Sequence, residues 1–130
     1  MPGEHIEALR AVFDQFARGD FSAWSDVASD FEFVTSPEMP DPGTYRGKAA
    51  DRYRQQWLDS FEELKMEAID LIDAGDKVIA EVTQEGRPRG SDHAVKGRWW
   101  QVITFRGHEV IRIENFTRRA EAMKAAGLSP

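Results

Sequence analysis

The chain has 130 residues, the size of one domain, and its 41% hydrophobic and 31% charged residues exclude a disordered chain. A net charge of −6 disfavours nucleic-acid binding, and the lack of cysteine excludes disulfides, thiolate metal sites and a cysteine nucleophile. The N-terminus lacks the pattern of a secretory signal, and no apolar run is long enough to cross a bilayer. We therefore expect one domain over residues 1–130, in a cytoplasmic protein without a membrane partner.

The first half of the chain is dominated by helical patterns. Apolar residues at helical spacing predict a first helix that ends near Gly19; they are Ile6, Leu9, Phe13 and Phe16. Asp20 is placed to cap a short second helix, with Phe21 and Trp24 on one side. A third helix follows Gly47, and its predicted apolar stripe consists of Ala50, Tyr53, Trp57 and Phe61, with Arg52, Arg54, Gln55 and Asp59 elsewhere on the helix.

Strand patterns dominate the second half. Phe31–Thr35 forms an early strand, followed by a proline-rich loop over residues 36–43. From Leu64 onwards the hydrophobic period is two, which predicts the strands Leu64–Asp73, Lys77–Glu85, Val95–Phe105 and Val110–Phe116. Thr117 is placed to cap a closing helix that ends at Gly127. This order predicts an α+β domain in which helices cover a curved antiparallel sheet, leaving a cone-shaped barrel with an interior pocket.

Three short motifs and the C-terminal segment carry a family resemblance. The motifs are Tyr45-Arg46-Gly47, Ala74-Gly75-Asp76-Lys77-Val78 and Gln101-Val102-Ile103-Thr104-Phe105-Arg106, and the segment is Arg119–Leu128. With the element order, they resemble the SnoaL-like group of the nuclear transport factor 2-like superfamily. The resemblance implies a cone-shaped α+β fold, often dimeric, with a mostly apolar pocket and no required cofactor.

The resemblance leaves two classes of function open, because this fold hosts isomerases, cyclases, epoxide hydrolases, dehydratases and binding modules. The first is a protein that binds a small apolar or aromatic molecule, either with or without catalysis. The second is a non-catalytic dimerisation or ligand-binding module with a vestigial pocket. No metal site is expected, because the three histidines, His5, His93 and His108, lack ligand spacing.

Two amides stand on the apolar faces of the last two strands. In SnoaL-like cyclases an inward His and an inward Asp occupy the positions that match Gln101 and Asn115, and the superfamily's ketosteroid isomerases place a carboxylic acid at the position of Gln101. Amides do not titrate near neutral pH, so neither residue is a general base. They are able to donate hydrogen bonds to a ligand oxygen or to satisfy each other.

The two amides share a face only for one form of the hairpin between the last strands. A two-residue turn at Gly107-His108 in a regular ladder would place Gln101 opposite Glu114. A three-residue loop with a bulge restores the shared face, and the apolar side chains Ile111 and Ile113 favour it.

Other carboxylates are the remaining candidates for acid–base chemistry. The isomerases of the superfamily use an Asp before a Pro after the first strand, and here the matching position holds Thr35 or Ser36. Asp70, on the predicted face of Leu64 and Met66, and Glu32 are the inward candidates for a catalytic carboxylate with a raised pKa. The alternative places Asp70 in water and pairs Glu32 with an arginine on the outer face.

An aromatic set completes the predicted binding site. The cone geometry brings Trp24, Tyr53, Trp57 and Trp99 together, with Phe33 and Ile113 on the same strand faces. Such walls suit a flat, mostly apolar ligand, although simple core packing explains them equally well. Trp100 beside charged residues on the opposite face is typical of a dimer surface.

Overall fold

The computed structural model describes residues 3–22, 28–39 and 41–129. Trp24 and most of the predicted second helix lie outside the described residues. The helices and strands are α1 Glu4–Ala17, β1 Glu32–Thr35, β2 Gly43–Arg46, α2 Lys48–Asp59, β3 Phe61–Ala74, β4 Lys77–Pro88, β5 Val95–Arg106, β6 Glu109–Phe116 and α3 Arg119–Ala125. No described helix is long and apolar enough to span a membrane.

The strands form one six-stranded sheet in the order β2-β1-β6-β5-β4-β3. Within this sheet β1 runs parallel to β6, whereas the other neighbouring pairs are antiparallel. The predicted α+β class is confirmed. The sheet is mixed rather than wholly antiparallel, because most of the chain separates β1 from β6 and no hairpin fixes their relative direction. β2 and β3 form the two edges of the sheet.

Helices pack on both faces of the sheet. The larger core cluster joins Leu9, Phe13 and Phe16 of α1 to alternate residues of β4 and β5, such as Val82 and Ile103. The residues between them point the other way, and there Ile79 and Val102 pack against Ala122 of α3. We call the face against α1 and α2 the inner face, and the face against α3 the outer face.

The closing helix begins and ends slightly differently from its prediction. Its N-cap is Arg118, and Thr117 instead donates its hydroxyl to a carboxylate oxygen of Glu38. Its last helical residue is Ala125, and Gly127, where the sequence placed the end, follows with a φ of +80°, the left-handed conformation that favours glycine. The Leu128 amide closes the end by donating to the carbonyl of Met123 at 2.9 Å.

The hairpin between β5 and β6 contains the bulge that the sequence favoured. Its turn has two residues, between Arg106 and Glu109, and the register shifts beyond it, between Thr104 and Phe105. The shift restores the pairing of Gln101 with Asn115. The shared face is therefore confirmed, but a bulge inside the ladder produces it rather than a three-residue loop.

Candidate functional site

A cavity of about 30 Å³ lies between α2 and the inner face of the sheet. This is room for about one or two water molecules. The residues that line it come from α2, from four strands and from the loop after β1: Phe33, Thr35, Met39, Tyr53, Arg54, Trp57, Met66, Trp99, Gln101 and Asn115. Seven of the eleven residues predicted for the site thus line this cavity.

The amide pair forms the polar floor of this cavity. Gln101 Nε2 donates to Asn115 Oδ1 at 3.1 Å, and Asn115 Nδ2 donates to the carbonyl oxygen of Val34 at 2.8 Å. Gln101 and Asn115 are 6% and 4% exposed. The bonds use one of the two N–H groups of each amide, so each side chain keeps a second N–H. Neither group exchanges protons near neutral pH, and the floor is a hydrogen-bonding surface.

The hydroxyl of Thr35 belongs to the loop after β1 rather than to the cavity. Thr35 Oγ1 accepts a hydrogen bond from the Gly43 amide at 2.9 Å and lies 3.4 Å from the carbonyl oxygen of Asp41. Ser36, the alternative in the sequence, is also buried, and its Oγ accepts from the Glu38 amide at 3.3 Å. Thr35 lines the cavity, but its hydroxyl is bonded to the loop. The same loop places Met39 at the cavity wall.

Asp70 does not reach the inner face: the inward placement is wrong, and the alternative that puts Asp70 in water is the observed one. The register of β3 against β4 shifts between Ala68 and Asp70. Beyond this bulge Leu71 packs against the larger cluster and Ile72 against the outer one, so the alternation is reversed. Asp70 is exposed as a result.

Glu32 also lies away from the cavity, contrary to the inward expectation. It alternates with the buried Phe33 in β1, which turns it to the outer face. There its carboxylate forms ion pairs with Arg46 and, at 3.6 Å, with Arg112. The outer-face alternative for Glu32 is the observed one.

Most of the predicted aromatic wall comes together. Phe33, Tyr53, Trp57 and Trp99 line the cavity, with the rings of Phe33 and Tyr53 centred 5.5 Å apart. Trp57 is held by a hydrogen bond from Nε1 to Gln84 Oε1 at 2.7 Å. Ile113 is buried in the core but does not line the cavity.

Arg54 is one of three cavity residues that the sequence interpretation missed, with Met39 and Met66. It was placed off the apolar stripe of its helix, yet it is 4% exposed. Its Nη2 donates to Asp51 Oδ1 at 2.7 Å, and its guanidinium lies 4.7 Å from the ring centre of Phe31. Burial lowers the pKa of Arg54, against the opposing effect of Asp51. The spacing of four residues from the buried Ala50 was the available signal.

Trp99, which lines the same cavity, carries a buried donor. Its side chain lines the wall, and within the described part of the chain its Nε1 has no hydrogen-bond partner. An unsatisfied buried donor costs about 1–3 kcal/mol. An acceptor atom of a bound molecule is able to recover this free energy.

The electrostatics of the lining residues disfavour proton transfer at neutral pH. Burial raises the pKa of the Tyr53 hydroxyl, so this group stays protonated. Among the described lining residues there is no carboxylate and no histidine. The described side chains also form no cluster of three or more potential metal ligands. The arrangement is suited to holding a molecule by apolar contact and hydrogen bonds.

Solved structures share this fold over nearly the whole chain. An NTF2-like protein from Burkholderia thailandensis E264 is 26% identical, with a TM-score of 0.69, and the match covers 94% of this chain and 96% of that one. A candidate SnoaL-like polyketide cyclase from Jannaschia sp. CCS1 is 16% identical, with a TM-score of 0.69 and coverage of 97% and 93%. TerC, co-crystallised with polyporic acid, is 20% identical, with a TM-score of 0.69 and coverage of 95% and 98%.

The sequence comparisons agree with the fold. No curated protein sequence matches the chain. A family model does match, and it covers residues 9–115, which is more than half of the chain. This protein belongs to the SnoaL-like domain family.

Proposed function

We propose that this protein binds a small, mostly apolar molecule that carries a hydrogen-bond-accepting oxygen, in the cavity floored by Gln101 and Asn115. The observation that carries the proposal is the buried Nε1 of Trp99, which lacks a partner within the described residues, in the wall of the same cavity. Together with the second Nε2 hydrogen of Gln101, it offers two neutral donors for one acceptor. The apolar side chains around them suit an aromatic body.

The role of the amides in this proposal is recognition. A carbonyl oxygen placed at the floor would accept from Gln101 while Asn115 holds the amide of Gln101 in place. Two preorganised neutral donors also polarise a carbonyl, as in an oxyanion site. Any reaction at the site would draw its proton-transfer group from outside the described lining residues.

Entry to the cavity requires side chains to move. The present volume of about 30 Å³ is much smaller than the roughly 300–1,000 Å³ of typical ligand pockets. Met39, Tyr53 and Trp57 are the partly exposed members of the wall, and methionine adapts readily to a new shape. We propose that the Met39 side chain swings outward when the ligand enters, since the hydrogen bond to Gln84 holds Trp57 in place.

The same small volume favours a second candidate, a non-catalytic module whose pocket is vestigial. In that case Trp57 and Trp99 are core side chains, and association with a second copy of the chain would be the function. The predicted homodimer belongs to this candidate as well as to the first. Binding of a ligand to the cavity separates the two.

The decisive experiment compares two molecules of one shape. Acetophenone carries a carbonyl oxygen, and α-methylstyrene replaces it with a methylene group. Thermal unfolding is followed with each compound for the wild type, Gln101→Leu, Trp99→Phe and Trp100→Phe. Trp100→Phe is the matched control, because Trp100 packs in the outer cluster and its Nε1 also has no partner in the described structure.

We expect acetophenone to raise the Tm of the wild type and of the Trp100→Phe variant more than α-methylstyrene does. The extra rise should disappear in the Gln101→Leu and Trp99→Phe variants. Equal shifts with both compounds would contradict recognition through these donors. No shift with either compound, together with a dimer in sedimentation analysis, would support the vestigial-pocket candidate instead.

A further inference from the structure

The loop after β1 is joined to the start of α3 by a side-chain bond next to the cavity wall. We infer that Glu38 is a positioning residue of the binding site: its bond to Thr117 keeps Met39 in the cavity wall, and this bond opens when a ligand enters. The inference rests on the proposed binding function and adds the contact that controls entry. Glu38 and Thr117 themselves do not line the cavity.

Residues 36–39 form a compact turn that carries Met39. The Glu38 amide donates to Ser36 Oγ at 3.3 Å, and the Met39 amide donates to the Ser36 carbonyl at 2.9 Å. Ser36 is buried directly after β1, whereas Met39 is half-buried and packs against the larger core cluster. Because these two bonds hold the turn together, a movement of the turn carries Met39 with it.

Glu38 connects this turn to the start of α3. One of its carboxylate oxygens accepts the hydroxyl of Thr117, and the other lies 3.9 Å from Nη2 of Arg118. In the described part of the chain, no other side-chain hydrogen bond or ion pair joins residues 36–39 to the rest of the fold. Thr117 follows β6, the strand that carries Asn115 of the cavity floor. The contact therefore fixes the turn relative to the cavity floor.

The other end of the same loop is held by its own hairpin. Thr35 Oγ1 accepts a hydrogen bond from the Gly43 amide at 2.9 Å, and the Tyr45 hydroxyl donates to the Asp41 carbonyl at 2.6 Å. Both bonds lie within β1, β2 and the loop between them, so they do not depend on the position of the turn. The contact that has to break when the turn moves is the one made by Glu38.

The exposure of this contact suits a bond that opens. The side chains of Glu38 and Arg118 are 52% and 70% exposed. Water therefore replaces the lost partners of the carboxylate when the contact separates, and an exposed ion pair costs little to break. The bond between Trp57 and Gln84 is partly buried, so its rupture would leave polar groups without water. The cavity wall consequently yields on the side of Met39.

The direction of the effect follows from the volume of the cavity. The present 30 Å³ holds about one or two water molecules, so an aromatic ring fits only when Met39 is displaced. The Glu38–Thr117 bond is then present in the free protein and absent from the complex. Such a bond opposes binding, because it stabilises the state that does not bind. Removing it should speed association and strengthen binding, and leave dissociation unchanged.

The test measures the association and dissociation rate constants of acetophenone by stopped flow. Tryptophan fluorescence reports the binding, because Trp57 and Trp99 line the cavity. The rate constants are the useful readout, since a merely structural role of Glu38 would not make association faster. Thermal unfolding without ligand shows that each variant is folded.

Two variants remove the bond and two serve as controls. Thr117→Val removes the donor and Glu38→Ala the acceptor, whereas Thr117→Ser keeps the hydroxyl and should restore the wild-type behaviour. Glu121→Gln is the matched control for charge, since Glu121 contacts the same Arg118 from within α3 at 3.8 Å.

We expect Thr117→Val and Glu38→Ala to raise the association rate constant and the affinity about two- to tenfold, the range that one hydrogen bond contributes. The dissociation rate constant should change little in both. Thr117→Ser and Glu121→Gln should bind acetophenone as the wild type does.

Failure of this inference and failure of the proposed function give different results. Binding of acetophenone to all five proteins with equal rate constants would overturn the role of Glu38 and leave the binding function intact. Weaker binding by Thr117→Val and Glu38→Ala would overturn that role too, because the bond would then belong to the complex. Association that is equally fast in Glu121→Gln would assign the effect to local charge instead. No binding to any of the proteins would overturn both proposals.

Discussion

Gln101 and Asn115 stand directly opposite each other on β5 and β6, and Asn115 links Gln101 to the backbone of β1 through the Val34 carbonyl. These two hydrogen bonds therefore connect three neighbouring strands. The resemblance placed an acid–base pair at these two positions. In this protein the two amides instead connect strands by hydrogen bonds, and each amide keeps one N–H group that these bonds do not use. The stability of the fold and the proposed binding of a ligand therefore involve the same side chains.

This relationship predicts unequal costs for removing the two amides. Asn115→Leu leaves both Gln101 Nε2 and the Val34 carbonyl without their partner, and we expect a loss of about 2–4 kcal/mol in the free energy of unfolding. Gln101→Leu leaves only Asn115 Oδ1 without its donor, and we expect about 1–2 kcal/mol. Urea denaturation measures both.

The double variant tests whether the amides act as a unit. Because the Gln101–Asn115 bond is lost only once, the combined cost should fall short of the sum of the single costs by about 1 kcal/mol. Equal single costs or strict additivity would show that the observed bonds do not carry the stability.

Trp57 and Gln84 form a second connection, partly buried, between α2 and β4. Gln84→Leu leaves the indole N–H of Trp57 unsatisfied, so we expect a destabilisation of about 1–3 kcal/mol. In the Trp57→Phe background the same substitution should cost clearly less, because no donor is then left without a partner. A double-mutant cycle in urea measures this coupling, and a coupling near zero would contradict a role of this bond in fixing the helix.

The sequence predicted those parts of the fold that long periodic patterns specify. The apolar spacing of α1 and the alternation along β4 and β5 gave the right elements, and the placement of Gln101 and Asn115 on one face followed from them. β2 was missed because its four residues are mostly exposed and carry no alternation. Asp70 was misplaced because the bulge in β3 reverses the alternation, and the sequence carries no sign of the bulge.

The site was harder to predict than the fold, because a cavity depends on which side chains fail to fill a space. Arg54 was assigned away from the core because charged side chains are rarely buried. The structure compensates for its burial with the ring of Phe31 and the carboxylate of Asp51, contacts that depend on the tertiary arrangement. Helical periodicity alone placed Tyr53 and Trp57 correctly but carried no information on cavity volume.

Gly86 is predicted to be intolerant of a side chain. It is buried in β4 opposite the irregular start of β3, and a Cβ there would lie 3.0 Å from Leu64 Cδ1 and 3.4 Å from Leu64 Cα. Leu64 is itself a core residue, and its neighbour Glu63 already has a φ of +56°. We expect Gly86→Ala to cost about 1–3 kcal/mol through overpacking.

Gly97 provides the matched control for this substitution. It lies in β5 and is exposed, and among the residues that the structure describes the nearest atom to a Cβ there is in the ring of Trp99, at 3.7 Å. Gly97→Ala should therefore be neutral or stabilising by up to about 1 kcal/mol, since it restricts the unfolded chain. Similar losses for both variants in urea denaturation would show that the close approach to Leu64 is not the cause.

Asp30 and Arg106 give the protein a predictable acid response. Two hydrogen bonds of 3.0 Å join the guanidinium of Arg106, at the end of β5, to the carboxylate of Asp30, which precedes β1. The hydrogen bonds from Arg106 lower the pKa of Asp30 below its ordinary value of 3.8. A carboxyl group with a lowered pKa in the folded state stabilises the protein at higher pH and loses that contribution as the pH falls through the folded pKa.

The comparison of the wild type with Asp30→Asn isolates this contribution. We expect the wild type to have the higher Tm between pH 5 and 8, by a constant margin, and the margin to close as the pH falls below about 4. Arg106→Met should lower the Tm at neutral pH by the same margin as Asp30→Asn does. In 1 M salt the Tm advantage of the wild type should be smaller, because the pair is exposed to solvent. A margin that persists unchanged down to pH 3 would mean that the Asp30 charge does not stabilise the fold and that the neutral side chain alone accounts for the difference.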